Sequence, residues 1–86
     1  MPRVSQFFGV TISMYYNDHS PPHFHARYGS QKALVDIDTL TVLEGRLPPR
    51  VLGLVAEWAA LHRAELRENW ELARGESPLR RIAPLE

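Results

Sequence analysis

The stretch Tyr15-Tyr16-Asn17-Asp18-His19-Ser20-Pro21-Pro22-His23-Phe24-His25-Ala26-Arg27-Tyr28 holds three of the chain's four histidines, with a carboxylate, two adjacent prolines and an arginine. Imidazoles ordinarily titrate near neutrality, so one can serve as base while another serves as acid. A guanidinium beside them can stabilise charge that builds on phosphate oxygens. The first chemistry this row fits is therefore acid–base attack on a phosphodiester. The catalytic candidates are His23, His25 and Arg27, with His19, Asp18 and Tyr15 in support. A second chemistry is metal binding: His19, His23 and His25, with Asp18 near, offer nitrogens and a carboxylate that suit zinc or another transition ion. Arg27 on the same face would repel a cation. A third, purely structural reading has Asp18 capping a turn, His19 bonded to backbone and Arg27 paired with Asp36.

What must position these groups is a strand. From His23 onward polar and apolar residues alternate, the period of a ribbon with one buried face. Phe24, Ala26 and Tyr28 fall on one side, and His23, His25 and Arg27 on the other, about 7 Å from one to the next. The apolar set is expected inside, which leaves the imidazoles and the guanidinium on the accessible face. Asn17 to Pro22 reads as a loop, stiffened by Pro21 and Pro22, that brings Asp18 and His19 beside them.

Residues 4 to 8 and 10 to 16 flank Gly9 and read as a hairpin. In the second of these, Val10, Ile12, Met14 and Tyr16 alternate with Thr11, Ser13 and Tyr15. After Gly29-Ser30 a fourth strand, about 31 to 38, puts Ala33, Val35 and Ile37 on one side and Lys32, Leu34, Asp36 and Asp38 on the other. An antiparallel turn there would set Asp36 or Lys32 across from the histidines. Residues 40 to 44 read as a fifth, short strand before Gly45. From Pro49 the period becomes helical, with Pro49 at the first position and Arg74-Gly75 at the end. Val51, Val55, Trp58, His62, Leu66, Trp70 and Ala73 share one stripe. Unbroken, this helix would be roughly 39 Å long, too long for the domain. It must bend near Leu61 to Ala64 or pack its second half on another subunit. Trp58, Trp70 and His62 read as core or interface rather than ligands, and the arginines and glutamates between 63 and 81 as a solvated face. The tail, 76–86, is extended, with Leu79, Ile82 and Leu85 as anchors.

The expected architecture is one α+β domain over 1–86: a small antiparallel sheet of four to five short strands (1–45) against one long C-terminal helix (48–75), bent or straight, then the tail. Its composition, 44% hydrophobic and 23% charged, is that of an ordinary soluble protein. Ten basic and ten acidic residues cancel, so binding nucleic acid by bulk positive charge is not indicated. There is no cysteine, which removes disulfides and thiolate metal sites. The N-terminus lacks a signal-peptide pattern and no apolar run approaches a membrane span, so a cytoplasmic protein is expected. A thin core makes a homodimer a natural option.

The run Asp-His-x-Pro-Pro-His-x-His, the Met-Pro start, the early Phe-Phe-Gly, the Leu-Pro-Pro-Arg entering the helix and the Asn-Trp-Glu-Leu-Ala-Arg near its end resemble a bacterial family known as domain of unknown function 4160. The resemblance implies a toxin-like member of a type II toxin–antitoxin pair, neutralised by a small antitoxin-like protein encoded next to it. Joined to the histidine row, it implies a histidine-dependent ribonuclease acting on RNA. The alternatives are a non-enzymatic binding or regulatory module working through protein–protein contact, and a His-rich metal-binding protein. The matching residues are Asp18, His19, Pro21, Pro22, His23, His25 and Arg27.

Overall fold

A computed structural model describes residues 2–86. In chain order it contains β1 (Arg3–Phe7), β2 (Val10–Ser13), β3 (His23–Tyr28), β4 (Gln31–Asp36), β5 (Val42–Gly45), α1 (Pro49–Leu61) and α2 (Arg63–Arg74). Each strand pairs antiparallel with its neighbours in sequence, giving a five-stranded meander in the order β1-β2-β3-β4-β5. This is the expected α+β class. Phe8 and Gly9 form the first hairpin turn with φ of 47° and 81°, the doubly left-handed turn whose twist matches that of the strands.

One face of the sheet makes the core. Val10, Ile12 and Met14, then Phe24 and Ala26, then Ala33, Val35 and Ile37 are buried at every second position, as the pleat requires. They pack against Val51, Val55, Trp58 and Ala59 of α1 and Leu66 and Trp70 of α2. Phe7 and Phe24 meet the Trp58 ring with centroids 5.3 and 5.8 Å away. In β1 the pairing slips between Arg3 and Ser5, so that Val4 and Ser5 are both buried. A bulge of this kind interrupts strict alternation.

The single long helix expected over 48–75 is instead two helices. His62 breaks it with φ −121° and ψ 25°, outside helical geometry. Its N–H bonds to the Trp58 and Ala59 carbonyls, and its own carbonyl accepts from Leu66 N–H to start α2. The break falls inside the stretch where a bend was expected. The molecule is 34 Å in its longest dimension, less than an unbroken rod would need, so the second half turns to follow the sheet. The apolar stripe runs on through both halves, which is why periodicity alone does not mark the joint.

The tail lies along its own domain. Ile82 is buried, and its N–H bonds to the Val4 carbonyl at 2.8 Å. Trp58 Nε1 donates to the Ala83 carbonyl at 2.8 Å. Fully buried Asn69 donates to the Arg80 carbonyl and accepts from the Arg80 N–H, at 2.8 and 2.9 Å. No helix among the described residues is long and apolar enough to cross a membrane.

Candidate functional site

The loop between β2 and β3 is pinned at both ends. Met14 N–H bonds to the Pro2 carbonyl, Asn17, at φ 53°, donates its N–H to the Ala73 carbonyl at the end of α2, and at the far end the Pro22 carbonyl accepts from the Ile37 N–H. Its side-chain amide reaches Glu76 Oε2 at 2.9 Å. The Ser20–Pro21 peptide is cis. The loop so held lays Asp18 against the start of β3.

Asp18 ties the cluster together. Its Oδ1 accepts from the His19 backbone N–H and lies 2.9 Å from His19 Nδ1. Its Oδ2 lies 3.1 Å from His25 Nε2 in a hydrogen bond and 3.0 Å from His23 Nε2. The second distance is short enough for an ion pair, yet its angles do not make a hydrogen bond, and His23 Nε2 is a buried polar atom with no partner. Burial pushes the Asp18 carboxyl up, but the His25 hydrogen bond, the His19 N–H and the charges of His23 and His25 outweigh it and hold the carboxyl below its ordinary value.

The expected row of three exposed groups on β3 is therefore two groups and a buried one. His25 and Arg27 stand on the open face, but the side chain of His23 is wholly covered. Parity puts His23 on the same side as His25, and the loop and Trp70 then close over it. The Trp70 ring lies 5.3 Å from His23, while His19 and His25 lie 5.1 and 5.2 Å away on other sides. His23 Nδ1 is 2.8 Å from the Pro21 carbonyl, so this nitrogen carries the proton and donates. Burial of the neighbouring groups is less complete: Asp18 is 15% and His25 26% exposed. The pairing of Arg27 with Asp36 does not form. Arg27 Nε donates to the Gly29 carbonyl, and Asp36 accepts the N–H groups of Asp38 and Thr39 in the next turn.

Beside the cluster the uncovered face of the twisted sheet forms a hollow of about 750 Å³. Thr11, Ser13 and Tyr15 line one side, His25 and Arg27 the floor, and Lys32, Leu34 and Glu44 the other side, with His19 and Arg3 at the rim. Tyr15 stands edge-on to His25 with centroids 4.4 Å apart. Register sets Arg27 opposite Lys32, and His25 opposite Leu34. At Gly45 a Cβ would come 2.2 Å from the Lys32 carbonyl, so glycine lets β5 close this side. Of the six candidates, Tyr15, His19, His25 and Arg27 border the hollow, Asp18 links it to the cluster, and His23 lies behind. Sequence reasoning missed Arg3, which joins the site only because β1 pairs with β2, and missed Trp70 as its back wall. The alternation of Lys32 with buried residues of β4 was the one signal that pointed to the far side.

An open-faced antiparallel meander with two helices on its back and a histidine–carboxylate knot at one strand end defines a small α+β protein with a candidate polar site. Residues 9–71 match the family described as Domain of unknown function (DUF4160), and the chain belongs to that family. Neither a curated protein nor a solved structure matches it.

Proposed function

We propose that this protein is a toxin-like ribonuclease of a bacterial two-gene pair, and that RNA lies in the hollow on the open face of the sheet. The observation that carries the reading is that Arg3, Arg27 and Lys32 converge on this hollow and, among the described residues, none of them is held in an ion pair. Three cations without a carboxylate partner around an imidazole suit a phosphodiester, although the chain as a whole is neutral.

In this reading Nε2 of His25 donates to Asp18, which fixes the tautomer and leaves Nδ1 as proton acceptor. His25 takes the proton of a ribose 2′-hydroxyl as its oxygen bonds to the adjacent phosphorus. Arg27 and Lys32 stabilise the charge on the phosphoryl oxygens. The bond to the 5′-oxygen breaks, and that oxygen takes a proton from His19 on the rim. His23, out of reach of any substrate, holds the Asp18 end of the cluster.

Expression in a bacterial host should arrest growth, and the purified protein should cleave single-stranded RNA. His25→Ala should lower cleavage by about 10²–10⁴-fold, the range of a lost proton-transfer group, while Leu61→Ala on the exposed helix side should not. Growth arrest undiminished in a His25→Ala/Arg27→Ala double variant would remove the catalytic claim. A protein that binds a partner protein but cleaves nothing would favour a non-enzymatic module.

A further inference from the structure

We infer that Asp18, His23 and His25 form a binding site for one divalent transition-metal ion of the zinc type. Their ligand atoms all lie within 4.8 Å of one another. Asp18 Oδ2 stands 3.0 Å from His23 Nε2 and 3.1 Å from His25 Nε2. With metal–ligand bonds of about 2.0–2.1 Å, neighbouring ligands sit about 2.9 Å apart at right angles and about 3.3 Å apart in a tetrahedron. The two spacings from Asp18 Oδ2 fall between those limits, and the imidazole nitrogens lie within 4.8 Å of each other, so side-chain rotations that draw the two rings together would admit an ion.

The independent sign of a ligand is His23 itself. In the neutral ring its Nδ1–H is committed to the Pro21 carbonyl, which turns the lone pair of Nε2 into the cluster. There that atom is wholly buried and has no hydrogen-bond partner. An acceptor nitrogen aimed at a carboxylate oxygen is unfavourable, and leaving a buried polar group unmatched costs about 1–3 kcal/mol. A cation between the two removes both objections. The surrounding bonds are those that supporting partners make in metal sites: a carbonyl fixes the tautomer of His23, and the His19 N–H holds the other oxygen of Asp18. Arg27, two residues beyond His25, leans toward the Gly29 carbonyl in the turn and so away from the cluster. Asp18 and His25 are partly exposed, which leaves the remaining coordination positions open to water. The donor set of two imidazoles and a carboxylate suits Zn²⁺, Co²⁺ or Fe²⁺ better than Mg²⁺ or Ca²⁺.

This goes beyond the ribonuclease reading: with an ion bound, Nε2 of His25 would be a ligand, and the ion would supply a bound hydroxide as the base in its place. The test uses the untagged, full-length protein after chelator treatment, titrated with Zn²⁺ and Co²⁺ in the absence of RNA. One ion per chain should bind, Co²⁺ should give visible ligand-field bands, and Zn²⁺ should shift the Nε2 but not the Nδ1 resonance of His23. The last readout uses unmodified protein and so does not depend on any variant's folding. Asp18→Asn and His25→Ala should weaken binding by more than 100-fold. His19→Ala keeps the backbone N–H bond but removes the Nδ1 contact to Asp18 Oδ1, and should weaken binding by about 10-fold, the low end for a supporting partner. Absence of stoichiometric binding, or binding that persists in an Asp18→Asn/His25→Ala double variant, would overturn the site and leave the cluster a carboxylate–imidazole tie. Because no RNA is present, failure here leaves the ribonuclease reading standing, and failure to cleave RNA leaves the ion site standing.

Discussion

Asp18 is the residue on which the three neighbouring imidazoles converge, and the consequences can be read in acid. Its carboxyl binds a proton less readily folded than unfolded. In the metal-free protein it therefore adds stability above its unfolded value near pH 3.9, and that contribution is lost as pH falls through the lower folded value. Urea unfolding of the chelated protein between pH 6 and pH 3 should show the gap between wild type and Asp18→Asn narrowing below about pH 4. A gap that stays constant would mean the carboxyl is not held down by its neighbours. His23 teaches a different lesson at this scale. Its strand parity is that of His25, yet one is sealed and the other open, because burial at a strand end is decided by what lies over it.

At the scale of elements, the tail and the two helices are fastened by side chains that imitate backbone. Asn69 pairs with both the N–H and the carbonyl of Arg80, as a neighbouring strand would. Asn69→Ala would leave both groups without their side-chain partner at a part-buried joint. The loss should be about 1–3 kcal/mol, seen as a lower urea midpoint, with faster proteolysis after residue 76. A tail cleaved at the wild-type rate would mean that Ile82 and Trp58 alone hold it. The strands were legible in the sequence because alternation over residues 10–14, 24–26 and 33–37 reflects the pleat directly, although Tyr28, expected inside with Phe24 and Ala26, is exposed at the strand end beyond the cover of the helices. The proline start and Arg74 end of the helical region were legible for equally local reasons. The joint at His62 was not, since the apolar stripe passes through it unbroken. Nor could sequence locate Trp70 behind His23, or Arg3 at the hollow, because both depend on how separate elements pack. The residues of the site were visible in the Asp-His-x-Pro-Pro-His-x-His run, but not which of them face solvent.

For the whole molecule, the relevant property is how a net charge of zero is distributed. On the helical side Arg67, Arg74 and Arg80 are each matched to Asp38, Glu71 and Glu68. Arg3, Arg27 and Lys32 meet on the opposite side of the sheet, with Glu44 the one acid in the hollow's lining. A neutral protein can thus carry a cationic hollow, but a small one, and its size predicts how binding responds to salt. Single-stranded nucleic acid releases counterions with a log–log slope of about −0.7 per phosphate neutralised. Three contacts give a slope of about −2, shallow beside that of strongly basic nucleic-acid-binding proteins. Fluorescence anisotropy with a short single-stranded RNA, using His25→Ala to prevent cleavage, should return that value between 50 and 200 mM salt. Adding Arg27→Ala should reduce the magnitude by about 0.7, whereas Arg74→Ala on the helical side should not change it. A slope near zero would mean that the hollow holds no phosphate backbone. A slope that responds to Arg74 and not to Arg27 would place the nucleic acid on the wrong side of the sheet for His25 to act on it.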